Sequence, residues 1–329
     1  MPRLGIIGTM VWDRIYARDV RVEPVEEWGG ISYALAAAVA ARCDGWELVP
    51  IVKVGRDLEE RAGQFLHSLP GLDLETGVRV VPEPNNRVEL RYLDGARRTE
   101  RLTGGVPPWR FEELGPILER LDALYINFIS GFELELETMI RVRLAFQGPI
   151  YADIHSLLLG VAPGGRRVYR PLEAWRDWLR CFDIVQLNED ELSWLAQAWG
   201  DPWLFAAEVV GDAPRLLLAT LGARGAAYVA SPAFRPDPLT WRTGGPLAEL
   251  PELGVPGTAR SERVAIVTEP REGDPTGCGD VWGATCFSRL LAGESLEEAM
   301  RAANRAAARN IEHMGATGLH LHLLGRIDT

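Results

Sequence analysis

Short apolar runs alternate with longer amphipathic stretches along most of the 329-residue chain. The apolar runs are rich in leucine and β-branched residues and predict strands at residues 4–8, 48–54, 124–129, 150–155, 184–187, 216–221, 226–230 and 264–268. Helices are predicted between most of them, at 30–42, 58–69, 133–146, 189–199 and 203–210. Because alternating strands and helices indicate βαβ units, we predict one α/β domain over residues 1–329, with a mainly parallel central sheet covered on both faces.

Residues 12–28 and 85–103 interrupt this alternation, since both segments are polar, charged and without a helical period. Residues 87–93 alternate between polar and apolar, and the Asp94-Gly95 pair that follows is a strong hairpin signal. Two arrangements fit this pattern: two separate surface hairpins, or one small sheet built from both segments. The second would form a lid over a site at the carboxyl ends of the main strands, where open α/β sheets bind ligands.

Composition narrows the function only coarsely. The net charge of −11 argues against a nucleic-acid or membrane partner, because both attract positively charged surfaces. The four cysteines have no metal-ligand spacing and indicate reduced thiols, so we expect a cytoplasmic location. Lys53 is the only lysine, so any other group that holds a phosphate must be an arginine, a backbone N–H or a metal.

The most informative motif is residues 274–280, which read D-P-T-G-C-G-D and precede a predicted helix that runs to about residue 291. Gly277 and Gly279 allow a tight turn that exposes backbone N–H groups, and the helix start adds unpaired donors and a positive dipole end. Asp280 is placed to accept the proton of a hydroxyl that attacks beside this anion site. A capping role for Asp280 explains the same residue equally well. The spacing matches neither the dinucleotide fingerprint nor the P-loop.

This segment resembles the D-T-x-G-A-G-D signature of the ribokinase-like (PfkB) carbohydrate kinase family. Pro275 and Cys278 stand where the signature usually has Thr and Ala. The resemblance implies that Asp280 is a catalytic base and that Gly277, Cys278 and Gly279 form an anion hole. It also implies that Asp274 and Thr276 help to bind a monovalent cation such as K⁺. It also implies the three-layer ribokinase-like fold with a small β lid.

Further matches follow in the family's order across nearly the whole chain. They are a double glycine, an N-x-x-E motif, a T-x-G-x-x-G segment and a late alanine-rich helix that begins with a capping box at Ser295 and Glu298. Taken singly, each is explained by an ordinary turn or a capped helix start. The resemblance implies that the nucleotide is bound by Asn188, Glu191, Thr220, Gly222, Arg224, Gly225 and Asn304. In the same way, Glu191 is implied to help hold Mg²⁺ through water.

The acceptor side departs further from the family pattern. Ala34 and Leu157 stand where many members have the sugar-binding Asn and the Arg of a D-x-N-x-R motif, and His155 takes the place of that motif's Asn. The candidate acceptor-binding residues are Asp13, Gly29, Gly30, Asn127, Asp153 and His155.

The resemblance implies an ATP-dependent phosphotransferase that moves the γ-phosphoryl group onto a hydroxyl of a sugar or a sugar-like molecule. A nucleoside kinase of the same family, with Trp12 and Trp28 stacking on the base, is the nearest alternative. A non-catalytic sugar or nucleotide sensor on the same fold is the alternative of a different class. A homodimer formed through the lid is a further expectation from the resemblance.

Overall fold

The computed structural model describes residues 1–16, 23–42, 44–92, 98–212, 214–241, 247–250, 257–266 and 273–325. Its strands are β1 (Arg3–Ile7), β2 (Met10–Tyr16), β3 (Val25–Gly30), β4 (Glu47–Gly55), β5 (Val78–Val81), β6 (Arg87–Tyr92), β7 (Arg98–Thr103), β8 (Ala123–Asn127), β9 (Ile150–Asp153), β10 (Leu159–Val161), β11 (Arg167–Tyr169), β12 (Ile184–Asn188), β13 (Leu216–Thr220), β14 (Ala226–Ala230) and β15 (Arg260–Val264). Its α-helices are α1 (Ile31–Ala41), α2 (Glu59–Ser68), α3 (Leu74–Gly77), α4 (Phe111–Leu118), α5 (Leu136–Ala145), α6 (Trp175–Arg180), α7 (Glu189–Leu195), α8 (Pro202–Asp212), α9 (Cys278–Leu291), α10 (Leu296–Asn310) and α11 (Leu319–Leu323). None of the helices described is both long and apolar enough to cross a membrane.

A nine-stranded sheet in the order β15-β14-β13-β12-β9-β8-β1-β4-β5 forms the central layer. The seven strands from β13 to β5 pair in parallel, and β14 and β15 pair antiparallel at one edge. Strands buried on both faces need apolar side chains at successive positions, which explains the continuous apolar runs. The predicted α/β fold with a mainly parallel sheet is confirmed.

Helices pack on both faces of this sheet and enclose two separate cores. Leu4 and Ile6 of β1 belong to the core under α1, α2, α9 and α10, whereas Ile7 belongs to the core under α4 to α8. This division follows from the strand geometry, since successive side chains point to opposite faces. The result is the predicted three-layer arrangement.

A second, four-stranded sheet in the order β3-β2-β6-β7 lies apart from the central one, and we call it the lid sheet. β2 and β6 pair in parallel from Trp12 opposite Arg87 to Tyr16 opposite Arg91. The two polar segments therefore form one sheet rather than two separate hairpins. The Asp94-Gly95 turn and residues 17–22 lie outside the described residues.

The two tryptophans of the lid sheet pack inward. The rings of Trp12 and Trp28 lie edge to face, with centroids 5.1 Å apart, and Trp28 also packs against Phe65 of α2. Both are buried among these neighbours, so they belong to the core between the lid sheet and α2. Their rings therefore contact other parts of the chain in this structure, and the alternative in which they stack on a base stays a prediction.

Several element bounds differ from the sequence prediction. β15 covers Arg260–Val264 rather than 264–268, because an exposed edge strand carries polar side chains that the apolar pattern does not detect. Residues 267 and 268 lie outside the described part of the chain. α5 begins at Leu136 and α7 ends at Leu195, so both are shorter than predicted. The sequence pattern predicted neither β5 nor the short hairpin of β10 and β11.

Lys53 is buried near the end of β4. Its ammonium group donates to the Pro108 carbonyl at 2.9 Å, forms an ion pair with Glu113 at 3.0 Å, and lies 4.6 Å from the centre of the Trp109 ring. These contacts join β4 to the first turn of α4 and to the residues just before it, and they leave the single lysine engaged in the fold.

Candidate functional site

The N-terminus of α9 lies at the carboxyl edge of the central sheet. Gly277 precedes the helix with a positive φ of 77°, and the space beside its Cα is filled by the buried ring of Tyr33. Asp274 shapes the turn by accepting from the backbone N–H and the hydroxyl of Thr276, at 2.9 and 2.6 Å. The turn therefore requires glycine at position 277.

The amides of this turn differ in their availability. The N–H of Cys278 donates to the Pro275 carbonyl at 3.2 Å, so it is engaged within the turn rather than open to an anion as predicted. The N–H groups of Gly277 and Gly279 have no backbone acceptor in the described part of the chain. The open donors of the proposed anion hole are therefore the two glycine amides.

Asp280 lies in the first turn of α9 and is held from the neighbouring strand end. The Asn127 side chain, at the last residue of β8, donates its Nδ2 proton to Asp280 Oδ1 at 2.7 Å. Asn127 is itself buried, so its amide can fix the carboxylate orientation. The structure thus brings together two residues that lie far apart in the sequence and were predicted for the same site.

Gln186 connects the glycine turn to the strand ends, and the sequence analysis missed it. Its Nε2 donates to the Gly279 carbonyl at 3.0 Å and to Asp153 Oδ2 at 2.8 Å. Its Oε1 accepts from the Tyr151 hydroxyl at 2.6 Å. A polar residue within the apolar strand β12, two residues before Asn188, was the only signal available.

Asp153, His155 and Glu191 form an ionisable cluster beside Gln186, in which the two carboxyl groups are buried and the imidazole is partly exposed. His155 Nδ1 bonds Glu191 Oε1, and the His155 amide donates to Asp153 Oδ1 at 3.1 Å. Burial, together with the charges of Glu191 and Asp280, raises the pKa of Asp153 to about 8. Burial lowers the pKa of His155, but the carboxylate of Glu191 outweighs this effect and the pKa rises to about 9.

The N-x-x-E motif caps α7. Glu191 N–H donates to Asn188 Oδ1 at 2.9 Å, and Asn188 N–H donates to Glu191 Oε2 at 2.8 Å. This reciprocal pair is a capping box, which places the buried Glu191 carboxylate at the helix start next to His155.

A cleft of about 290 Å³ lies on one side of the α9 N-terminus, and we call it the nucleotide cleft. Its name follows the predicted role of its residues, and its lining, which is mostly apolar or glycine, suits the predicted binding of a base and a ribose. The lining residues are Thr220, Gly222, Ala223, Gly225, Ile266, Pro275, Cys278, Gly279, Trp282, Asn304, Ala307, Ala308 and Ile311.

Two predicted nucleotide contacts are already engaged elsewhere. The exposed Arg224 forms an ion pair with Glu189. Asn304 accepts from Trp282 Nε1 at 2.8 Å and donates to the Val264 carbonyl at 3.1 Å, which ties α10 to α9 and β15. Both of its amide groups are used inside the protein, so Asn304 supports the wall of the cleft.

The other side of Asp280 lies towards the lid sheet, and we call it the acceptor side. Asp13 of β2 is buried there, with its carboxylate against the Cα of Gly29. Gly30 has a positive φ of 59°, and a side chain there would meet the Thr9 carbonyl. Burial raises the pKa of Tyr33, and so do the nearby charges of Asp13, Asp274 and Asp280. Tyr33 therefore lies among the three predicted carboxylates.

The pair of glycines thus lets the chain pass close to Asp13 and Thr9. Ala34, which replaces the family's Asn, is fully buried in the core and has no polar group to offer an acceptor. Leu157 is likewise buried in the core, so the missing Arg of the D-x-N-x-R motif has no substitute at its own position.

Comparison with solved structures shows a shared fold. Ribokinase from Thermotoga maritima superposes with a TM-score of 0.71 at 16% identity, over 99% of each chain. Arabidopsis thaliana ribokinase, solved with ribose and ATP, gives 0.68 at 18% identity over 98% of each chain. A Burkholderia thailandensis nucleoside kinase, solved with inosine, gives 0.67 at 17% identity over 97% of this chain and 93% of its own. No family model and no curated protein sequence matches the chain.

Proposed function

We propose that this protein is an ATP-dependent kinase that phosphorylates a hydroxyl group of a small, sugar-like molecule. The observation that carries the proposal is the position of Asp280. It lies at the N-terminus of α9, between the nucleotide cleft and the acceptor side, and the cavity around it shares Thr220, Pro275, Cys278 and Gly279 with that cleft. A base at this junction is within reach of an acceptor hydroxyl and of a terminal phosphoryl group.

The residues of the site have distinct roles in this reaction. Asp280 accepts the proton of the acceptor hydroxyl, and Asn127 keeps its carboxylate in position. The amides of Gly277 and Gly279 and the helix dipole stabilise the negative charge that develops on the phosphoryl group. Gln186 fixes the Gly279 carbonyl, which keeps the peptide plane that carries the next N–H in a constant orientation. Asp280 is partly buried and Gly279 is exposed, so the bound acceptor and nucleotide themselves must displace water from the transfer.

Magnesium enters the proposal together with the nucleotide. Among the described residues no group of three or more His, Cys, Asp or Glu side chains is arranged to hold a metal. Mg²⁺ commonly binds through substrate phosphates, water and one or two carboxylates. The residues therefore fit an ion that is coordinated by the nucleotide phosphates and contacted by Glu191 through a bound water. Bound there, the ion would neutralise phosphate charge.

A monovalent cation also fits the turn before α9. Asn310 Nδ2 donates to the Thr276 carbonyl at 2.8 Å, while Asn310 Oδ1 is buried and has no donor in the described part of the chain. Oxygen atoms of this kind, close to the Asp274 carboxylate, are suitable ligands for K⁺. The homodimer through the lid remains part of the proposal on the family resemblance, and the cytoplasmic location remains part of it because the four cysteines indicate reduced thiols.

The test is ATP consumption with Mg²⁺ and K⁺ against sugars, sugar acids, sugar phosphates, polyols and nucleosides, for the wild-type protein and Asp280→Asn. The N-cap of α9 is Gly277 and not Asp280, so the variant replaces the carboxylate by an amide of nearly the same shape and removes the base without removing a helix cap. We expect kcat to fall about 10²- to 10⁴-fold with ATP affinity unchanged. Asp201→Asn is the matched control, because Asp201 caps α8 far from the site.

The outcomes separate the alternatives. Near wild-type turnover by Asp280→Asn would exclude Asp280 as the base. ATP binding without turnover on any acceptor class would instead favour a sensor on a kinase fold.

A further inference from the structure

Arg167 of β11 carries a buried cationic group that the proposed mechanism does not use. Both of its terminal nitrogens, Nη1 and Nη2, are shielded from solvent, and neither has a hydrogen-bond partner among the described residues. A buried guanidinium without a partner is costly, because charged donors lose their water and gain nothing in return. Such a group indicates an anion that is absent from the protein alone.

The hairpin that carries Arg167 is fixed to the lid sheet. Arg166 pairs with Arg101 of β7 in an antiparallel bridge, and Arg101 Nε donates to the Gly164 carbonyl at 2.6 Å. At the other end, the Arg170 amide donates to the Leu158 carbonyl at 2.8 Å. The hairpin of β10 and β11 therefore extends the lid sheet beyond β7 and holds Arg167 in a defined position.

One neighbouring carboxylate places Arg167 under the lid sheet. Glu100 of β7 pairs with Leu90, and Leu90 pairs with Ile15, so these residues share the buried face of the sheet with Asp13. The charge of Glu100 acts on both Arg167 and His155. Arg167 is therefore on the same side of the site as the ionisable cluster.

A second carboxylate places it near the glycine pair. Glu133 also acts electrostatically on Arg167, although burial outweighs both carboxylates and lowers the pKa of the guanidinium. Glu133 Oε1 accepts from the Thr9 hydroxyl and from the amide and hydroxyl of Ser130, at 2.6, 2.6 and 2.9 Å, and Oε2 accepts from the Gly131 amide at 2.9 Å. With four donors already bound, Glu133 is saturated and lies beneath Thr9, beside Gly30. This position is on the acceptor side, away from the nucleotide cleft.

We propose that Arg167 binds an anionic group of the acceptor, so that the substrate is an acidic or phosphorylated sugar rather than a neutral one. The inference rests on the proposed kinase function and specifies its substrate class. A guanidinium presents two parallel N–H groups, which match the two oxygens of a carboxylate or a phosphate. The carboxylate of Asp13 would repel an anion elsewhere on this side, so one arginine fixes both the charge and the orientation of the acceptor.

Turnover and binding of three acceptor classes test this inference. The probes are neutral ribose and inosine, the carboxylates gluconate and galactonate, and the phosphates ribose 5-phosphate and fructose 6-phosphate. We compare wild type, Arg167→Gln and the matched control Arg166→Gln, which changes the exposed neighbour on the same hairpin. For the preferred anionic acceptor, we expect KM to rise roughly a hundredfold in Arg167→Gln, with the Kd for ATP unchanged and Arg166→Gln unaffected.

The melting temperature of the ligand-free protein provides the second readout. Removing an unpaired buried charge does not destabilise a protein, so Arg167→Gln should melt no lower than wild type. Anionic sugars at saturating ATP analogue should raise the melting temperature of wild type but not of Arg167→Gln, whether or not they are turned over.

Three results would overturn the inference without deciding the kinase proposal, which Asp280→Asn tests separately. One is turnover of a neutral acceptor with equal kcat/KM in wild type and Arg167→Gln. Another is a weaker Kd for ATP in Arg167→Gln, which would assign the guanidinium to the nucleotide phosphates. The last is that anionic sugars raise the melting temperature of neither protein, or raise that of wild type and Arg167→Gln equally. A carboxylate-only or phosphate-only response identifies which anion the site takes.

Discussion

Gly277→Ala is the substitution for which the structure gives the most definite expectation. Gly277 has a φ of 77°, which an alanine adopts at a cost of about 1–2 kcal/mol. Its new Cβ would also overlap two or three carbons of the Tyr33 ring, and Tyr33 is fully buried beneath α9. Overpacking of this kind costs about 1–3 kcal/mol. We therefore expect the free energy of unfolding to fall by about 2–5 kcal/mol.

Gly279→Ala is the matched control, two residues away in the same motif. A Cβ at Gly279 would meet only the Gln186 side chain, at 3.9 Å, and the φ angle of Gly279 is not positive. Inside a helix this change gains up to about 1 kcal/mol in helix propensity. Urea unfolding of the two variants, followed by tryptophan fluorescence, gives their midpoints. Equal midpoints for the two variants would refute the argument that the turn requires glycine at position 277 but not at position 279.

Two further predictions concern the acceptor side and the ionisable cluster. Gly29→Ala places a methyl group against the Asp13 carboxylate, so in a kinetic assay we expect KM for the acceptor to rise at least tenfold while the Kd for ATP stays unchanged. The control is Gly63→Ala, whose new methyl group meets open space and which should behave as wild type. An unchanged KM in Gly29→Ala would remove Asp13 from the acceptor site. The pKa of Asp153 is about 8 in the folded protein and lies above its ordinary value of 3.8. Between these two values the folded state retains a proton that the unfolded chain has lost. The free energy of unfolding therefore falls as pH rises between them, by up to about 1.4 kcal/mol per pH unit. Asp153→Asn should flatten this slope between pH 4.5 and 6, where His155 is protonated in both states, and parallel unfolding curves for the two proteins would contradict the assignment.

The sequence predicted the buried part of the fold well, because burial is what the apolar pattern records. The antiparallel strand β14 has the predicted bounds, and the parallel strands that were predicted differ by one or two residues at their ends. β15 was misplaced because its side chains are exposed at the sheet edge, and the hairpin of β10 and β11 was missed because glycine, proline and arginine dominate it. Local patterns carry no signal for strands that gain their stability from a neighbour rather than from burial.

The candidate site was predictable where a motif encodes a backbone shape. The glycines before α9 and the capping box of Asn188 and Glu191 are local features, and their geometry follows from their own spacing. Gln186 and Arg167 were not predictable, because each acquires its significance from residues more than thirty positions away in the chain or from the lack of a partner. Only the folded structure shows which polar groups are left without water and without a bond.

The burial of Lys53 has a practical consequence for measurement. Because the chain has one lysine and its amine is held by Glu113 and the Pro108 carbonyl, acylating reagents should spare this side chain in the native protein. Modification of Lys53, read as a mass increase on a single peptide, would then report the opening of its contact with Pro108 and Glu113. The protein thus carries its own footprinting probe for the contact between β4 and the start of α4.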